Sequence, residues 1–124
     1  MISAAPQAWE VWHARFAFDG GKGYKYRPVI VIGSNDAGSV VIMVTSSTNK
    51  LHMEHDHLLI DWEAAGLVKP SIARIDRIAT IPTSYLGTSG RLGRLTEIDV
   101  DAIKQILSKI DEEEEEEPQP SPEP

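Results

Sequence analysis

Lys25–Ser47 reads K-Y-R-P-V-I-V-I-G-S-N-D-A-G-S-V-V-I-M-V-T-S-S, and the fold turns on how it is read. Two apolar, β-branched runs, Tyr26–Ile32 and Val40–Thr45, flank Gly33–Ser39. Asn35, Asp36 and Gly38 are turn residues within that gap. Both runs are nearly continuous rather than alternating. Such runs suit strands buried on both faces or enclosed in a small barrel. If they pair as a hairpin, the start of the first lies beside the end of the second. Arg27 then approaches Thr45 although 18 positions separate them. A guanidinium beside hydroxyls at a sheet end can hold a phosphate group, because charged, forked donors match its oxygens.

Composition frames this hairpin. A chain of 124 residues is one domain in length. Its hydrophobic content is 41%, in the range of globular proteins. No apolar run approaches the roughly 18 residues needed to span a bilayer, so no membrane association is expected. Met1–Pro6 lacks the basic start and apolar core of a secretory signal. The absence of cysteine excludes disulfides and thiolate–metal sites and fits a cytoplasmic location. The net charge of −7 is concentrated at one end: eight of nineteen acids lie from Asp111 onward, where there is no base. Residues 1–110 carry eleven acids against twelve bases. Affinity for a polyanion must therefore come from a local cluster, not from the field of the whole chain.

Around the hairpin the remaining elements follow. Ala8–Phe18 alternates in part, with Trp12, Ala14, Phe16 and Phe18 on one face, and reads as a strand with one buried face. Asp19-Gly20-Gly21-Lys22-Gly23 is a glycine-rich loop. It lacks the length and the G-K-[ST] ending of a P-loop and leads into a strand, which excludes that nucleotide-binding motif. A short strand is expected within Leu51–Asp61, and Asp61–Gly66 reads as one helical turn closed by glycine. Ser71–Ile81 is a long strand, with Ile72, Arg74, Asp76 and Ile78 expected on one face. Tyr85–Gly93 reads as a loop carrying Arg91. Thr96 opens a helix, and Thr96 and Asp99 have capping-box spacing. Ile98, Ala102, Ile103, Ile106, Leu107 and Ile110 recur at helical spacing and predict an apolar face lying on the sheet. From Asp111 the pattern stops; six glutamates and a proline-rich end are expected to be a disordered tail over 111–124, or to fray from the helix. Five strands and one C-terminal helix over 1–110 predict a mainly β protein, a small antiparallel barrel.

The ordered blocks Y-R-P-V-I-V-I-G, V-V-I-M-V-T-S-S, G-L-V-K-P-S-I-A-R-I-D-R-I-A-T-I and L-G-R-L-T with its closing helix resemble the MazF/PemK family, toxins of bacterial toxin–antitoxin pairs. The resemblance runs from about Trp9 to Leu107. It implies an SH3-like barrel with a C-terminal helix, usually a homodimer. It also implies metal-independent, sequence-specific cleavage of single-stranded RNA, and a cognate antitoxin that blocks the RNA groove. Arg27 matches the family's arginine before proline. Thr45 and Ser46 match its threonine–serine pair. Arg74 and Asp76 match an R-x-D pair used in catalysis by the PemK branch, to which this chain is more similar there. One departure stands out: the loop before Arg27 lacks the His or Glu often found in the family, which shifts the role of base to Asp76.

Metal-free RNA cleavage needs a group to take the 2′ proton and donors to stabilise an anionic phosphorane-like state. Arg27, Thr45 and Ser46 are the expected donors, Asp76 the base and Arg74 an electrostatic partner. Lys22, Lys25, Ser47 and Arg77 are the expected substrate-binding residues, and no cofactor is expected. The competing reading is structural: a surface arginine, a strand end and an exposed Arg74–Asp76 ion pair. A barrel that keeps the antitoxin surface but has lost its chemistry is the corresponding alternative function. His52, His55 and His57 resemble metal ligands, but beyond Glu54, Asp56 and Asp61 nothing completes a shell. No metal site is assigned, and a solvated or RNA-contacting segment is expected.

Overall fold

The apolar runs form the expected hairpin. In the computed structural model, which describes residues 6–17, 23–35, 37–46, 55–86 and 90–116, the first run extends to a strand β2, Tyr24–Asn35, and the second to β3, Gly38–Thr45. They pair antiparallel from Asn35↔Gly38 to Val29↔Met43. The turn is tighter than Gly33–Ser39. The Asn35 side-chain oxygen accepts the Ala37 amide at 2.7 Å, the local bond that makes asparagine a turn residue. Gly38 is required by space: a Cβ there would lie 2.5 Å from the Ile81 carbonyl oxygen.

Four more strands complete one antiparallel sheet. They are β1 (Glu10–Ala17), β4 (Asp56–Leu58), β5 (Ile72–Ile81) and β6 (Arg91–Arg94), in the spatial order β4-β5-β3-β2-β1-β6. The sixth strand is one more than the sequence predicts, because Arg91–Arg94 pairs with β1 instead of remaining loop. A single-turn 3-10 segment, Thr83–Leu86, precedes it. The helix α1 spans Glu97–Glu116. It thus continues beyond Ile110 into the first glutamates of the stretch that the sequence assigns to a disordered or fraying tail.

Both faces of the central strands are covered, as their unbroken apolar runs require. On one face Val11, Ile30, Ile42, Val44, Ala73 and Ile75 pack with Ile103 and with the half-buried Val100, Ile106, Leu107 and Ile110 of α1. On the other, Trp12, Ala14, Val29, Val31, Val41, Ile81 and Leu86 form a second cluster. So β1 has two buried faces in its first half, not one. The helix face also shifts slightly: Ile98 is 55% exposed, and Val100 packs in its place.

A bulge in β5 breaks the expected alternation. Met43 of β3 pairs with Arg74, while its neighbour Ile42 pairs with Ile78, so residues 75–77 have no β3 partner. Paired residues face the same way. Arg74 therefore shares the face of Met43 and Val29, whereas Ile78 is aligned with Ile42 on the helix side. Extra residues of this kind re-aim side chains along a strand.

Candidate active site

Three adjacent strands carry the phosphate-holding candidates. Arg27 lies two residues before Val29 on β2, and Thr45 two residues after Met43 on β3. Val29 pairs with Met43, which pairs with Arg74 on β5. Residues two apart on a strand share a face, so Arg27, Thr45 and Arg74 lie together on the face opposite α1. The β2–β3 ladder ends at Val29↔Met43, and extending its register by two residues would set Arg27 opposite Thr45. With β3 between them and an offset of two residues along the strands, the Arg27 and Arg74 backbone positions are separated by roughly 12 Å of sheet. All three are partly buried, and long cationic side chains at such positions keep their heads toward water.

The other predicted residues are placed less centrally. Ser46 is exposed immediately after β3, and Lys25 is exposed two residues before Arg27 on the same face. Asp76 and Arg77 are exposed within the β5 bulge. No ion pair or hydrogen bond joins Asp76 to another described residue. The Arg74–Asp76 ion pair of the competing structural reading is not formed, and Asp76 lies in the stretch of β5 that has no β3 partner. Lys22 and Ser47 lie outside the described residues, as do His52 and most of the glycine loop.

Arg74 instead meets Asp56. The two are directly paired across β4 and β5, and Arg74 Nε lies 3.3 Å from Asp56 Oδ1. The Asp56 side chain is 1% exposed and that of Arg74 22%. The contact is an ion pair that falls short of hydrogen-bond geometry. It leaves Arg74 Nε and both Asp56 oxygens buried without a hydrogen-bond partner.

The next residue of β4, His57, projects to the helix side. Its Nε2 bonds to Asp99 Oδ1 at 2.8 Å, and Asp99 also accepts the amides of Ile60 and Asp61 at 2.8 Å each. Asp99 is fully buried. The Thr96 hydroxyl donates to Asp61 Oδ2 at 2.6 Å. Thr96 and Asp99 thus fasten the helix start to the β4 segment, where the sequence predicts a mutual capping box. His57 is a structural histidine and not a solvated one. His55 lies just before β4, its carbonyl accepting the Ile75 amide at 3.1 Å. Among the described residues, no group of three His, Cys, Asp or Glu side chains is arranged to hold a metal ion.

A second buried carboxylate ties the other edge of the sheet. Glu10 accepts the Gln7 amide and the Trp12 indole N–H on Oε1, and Arg91 Nε on Oε2, each at 2.9 Å. Burial pushes this carboxyl up, but the three donors and the Arg91 charge outweigh that and hold it below its ordinary value of 4.5. Arg91 is thereby a sheet-edge anchor and not a loop cation.

Chemically, the face bearing Arg27, Thr45 and Arg74 offers two guanidinium groups and a hydroxyl at one end of a rigid sheet. That set can bind a phosphodiester and stabilise added negative charge on it. Asp76, two residues from Arg74 on β5, is an exposed carboxylate.

Among curated protein sequences nothing matches this chain. Several solved structures share the fold. An endoribonuclease from a mycobacterial species is 16% identical, with a TM-score of 0.63 over 88% of this chain and 93% of its own. The Mycobacterium tuberculosis toxin MazF-mt6 is 22% identical, with a TM-score of 0.58 over 82% and 96%. A MazE–MazF structure from Deinococcus radiodurans is 14% identical, with a TM-score of 0.61 over 86% and 95%. These likenesses establish the mainly β fold with its C-terminal helix. A family model matches residues 7–110 directly, and on that ground the chain belongs to the PemK-like, MazF-like toxins of type II toxin–antitoxin systems.

Proposed function

We propose that this toxin is an endoribonuclease that cleaves single-stranded RNA at specific sequences without a metal ion. Arg27, Thr45 and Arg74 on one sheet face are the observation that carries the reading. In the proposed step the 2′-oxygen attacks the adjacent phosphorus and the bond from phosphorus to the 5′-oxygen breaks. The products are a 2′,3′-cyclic phosphate and a 5′-hydroxyl. Asp76 takes the 2′ proton, and a solvent water supplies the proton that the leaving 5′-oxygen gains. Arg27 and Arg74 neutralise the extra charge, while Thr45 and Ser46 donate hydrogen bonds to the phosphoryl oxygens. Lys22, Lys25, Ser47 and Arg77 hold the flanking backbone by charge and hydrogen bonding. We further propose, on the R-x-D pair Arg74 and Asp76 alone, that the chain is closer to the PemK branch of the family.

A cognate antitoxin is the proposed partner. Family membership supports it, and so does the likeness to a toxin solved as a MazE–MazF structure. A homodimer is proposed on the same resemblance.

The test is incubation of the purified protein with long, sequence-diverse single-stranded RNA in the presence of a chelator. Fragments ending in a 2′,3′-cyclic phosphate support the reading. A single 2′-deoxy substitution at the scissile nucleotide should abolish cleavage there, since it removes the nucleophile. An intact RNA pool, with antitoxin binding retained, would instead identify a barrel that only binds.

A further inference from the structure

The three buried or nearly buried carboxylates with defined partners differ in one respect. Glu10 accepts three hydrogen bonds, from a backbone amide, an indole and a guanidinium. Asp99 also accepts three, from an imidazole and two backbone amides. Both are saturated, as carboxylates that hold a fold together are. The Asp56 side chain is also enclosed, at 1% exposed, yet its oxygens accept no hydrogen bond and its ion partner is Arg74 at 3.3 Å. A buried carboxylate so poorly compensated costs stability. Strain of that kind concentrates where a charge must be held for another purpose.

The direction of the contact indicates that purpose. Asp56 faces the Nε edge of Arg74, and that Nε is itself buried. The accessible 22% of the Arg74 side chain is what remains to meet a ligand. Arg74 stands in the row Val29–Met43–Arg74–Asp56 across four strands, on the face that carries Arg27 and Thr45. Asp56 ends that row and is too enclosed to touch substrate. Its own strand is only three residues long, and His57 pins it from the other face to Asp99 of the helix. Asp56 therefore has a fixed position from which to aim Arg74.

We propose that Asp56, buried on β4 beside Arg74, is a positioning residue for RNA cleavage: it fixes the Arg74 guanidinium by its Nε edge and directs the remaining donors toward the scissile phosphate. The inference rests on the endoribonuclease reading above and deepens it by naming a residue outside the R-x-D pair.

The test is a double-mutant cycle with the full-length protein, cleaving long single-stranded RNA with chelator present. It compares wild type, Asp56→Asn, Arg74→Gln and the double variant, with kcat and KM measured separately. Misplacing an oriented catalytic group costs about 10²-fold. Asp56→Asn is expected to lower kcat by about that factor with little change in KM. In the Arg74→Gln background the same substitution should change nothing, because there is no guanidinium left to aim. Thermal unfolding shows whether each variant is folded. If Asp56→Asn is not, Asp56→Glu keeps the charge, displaces it by one methylene, and is expected to show the same dependence on Arg74. An equal loss of kcat in both backgrounds, or an unchanged kcat in Asp56→Asn, overturns the proposal while leaving the enzyme reading intact. A wild-type protein that cleaves no RNA overturns the functional reading, and this inference with it.

Discussion

His57 and Asp99, 42 positions apart, meet at 2.8 Å with the Asp99 carboxylate fully enclosed. This contact joins the edge strand of the sheet to the first turn of the only described helix. It sits directly behind Asp56 and Arg74 in the chain of contacts. Asp99→Ala leaves the His57 imidazole and the amides of Ile60 and Asp61 without their acceptor. Loss of a buried, multiply bonded carboxylate costs about 3–5 kcal/mol. Chemical denaturation should show that loss, and Asp99→Asn, which keeps the acceptor oxygen, should lose less.

Glu10 makes stability depend on acid. Its carboxyl sits below 4.5 in the fold because Gln7, Trp12 and Arg91 stabilise the charged form against burial. A depressed folded-state value means the unfolded chain binds the proton more readily, so the stabilisation is complete above pH 4.5 and is lost as pH falls below it. Unfolding free energies measured between pH 7 and pH 3 should decline less in Glu10→Gln than in the wild type. At pH 7 that variant is destabilised by about 1–3 kcal/mol, because an amide N–H replaces one acceptor facing a donor.

Gly66 closes the turn after Trp62 at φ 93°, and a Cβ there would lie 2.1 Å from the Leu92 carbonyl oxygen. Gly93 approaches the Ala65 carbonyl in return. The turn and β6 therefore cross backbone to backbone. Gly66→Ala is expected to cost about 2–3 kcal/mol from the left-handed backbone alone, with the clash adding to it. A lowered midpoint in thermal unfolding checks this.

Much of this architecture is legible in the residues, and the gaps have physical causes. The hairpin was readable because its two apolar runs are long and bounded by turn chemistry, and with it the approach of Arg27 to Thr45. The helix was readable from the spacing of Ile103, Ile106, Leu107 and Ile110. β6 was not, since R-L-G-R has no period and becomes a strand only by pairing with β1. The β5 bulge was invisible because an inserted stretch reverses the faces without altering local composition. Regular alternation sets Asp76 beside Arg74, whereas the carboxylate that Arg74 meets is Asp56 on the neighbouring strand. Asp56 offered little signal within H-D-H: its role depends on the register of a three-residue strand. Asp99 read as a local cap because nothing in the helix sequence points to β4.

In the proposed reaction Arg27, Thr45 and Arg74 act together on one phosphate. Single-turnover cleavage of single-stranded RNA with chelator present, by wild type and by Arg27→Ala, measures it most directly. Removing one preorganised donor to a developing oxyanion costs about 10²–10³-fold, so Arg27→Ala should cleave at least that much more slowly while unfolding at a similar temperature. A folded Arg27→Ala protein that cleaves at the wild-type rate would contradict the account.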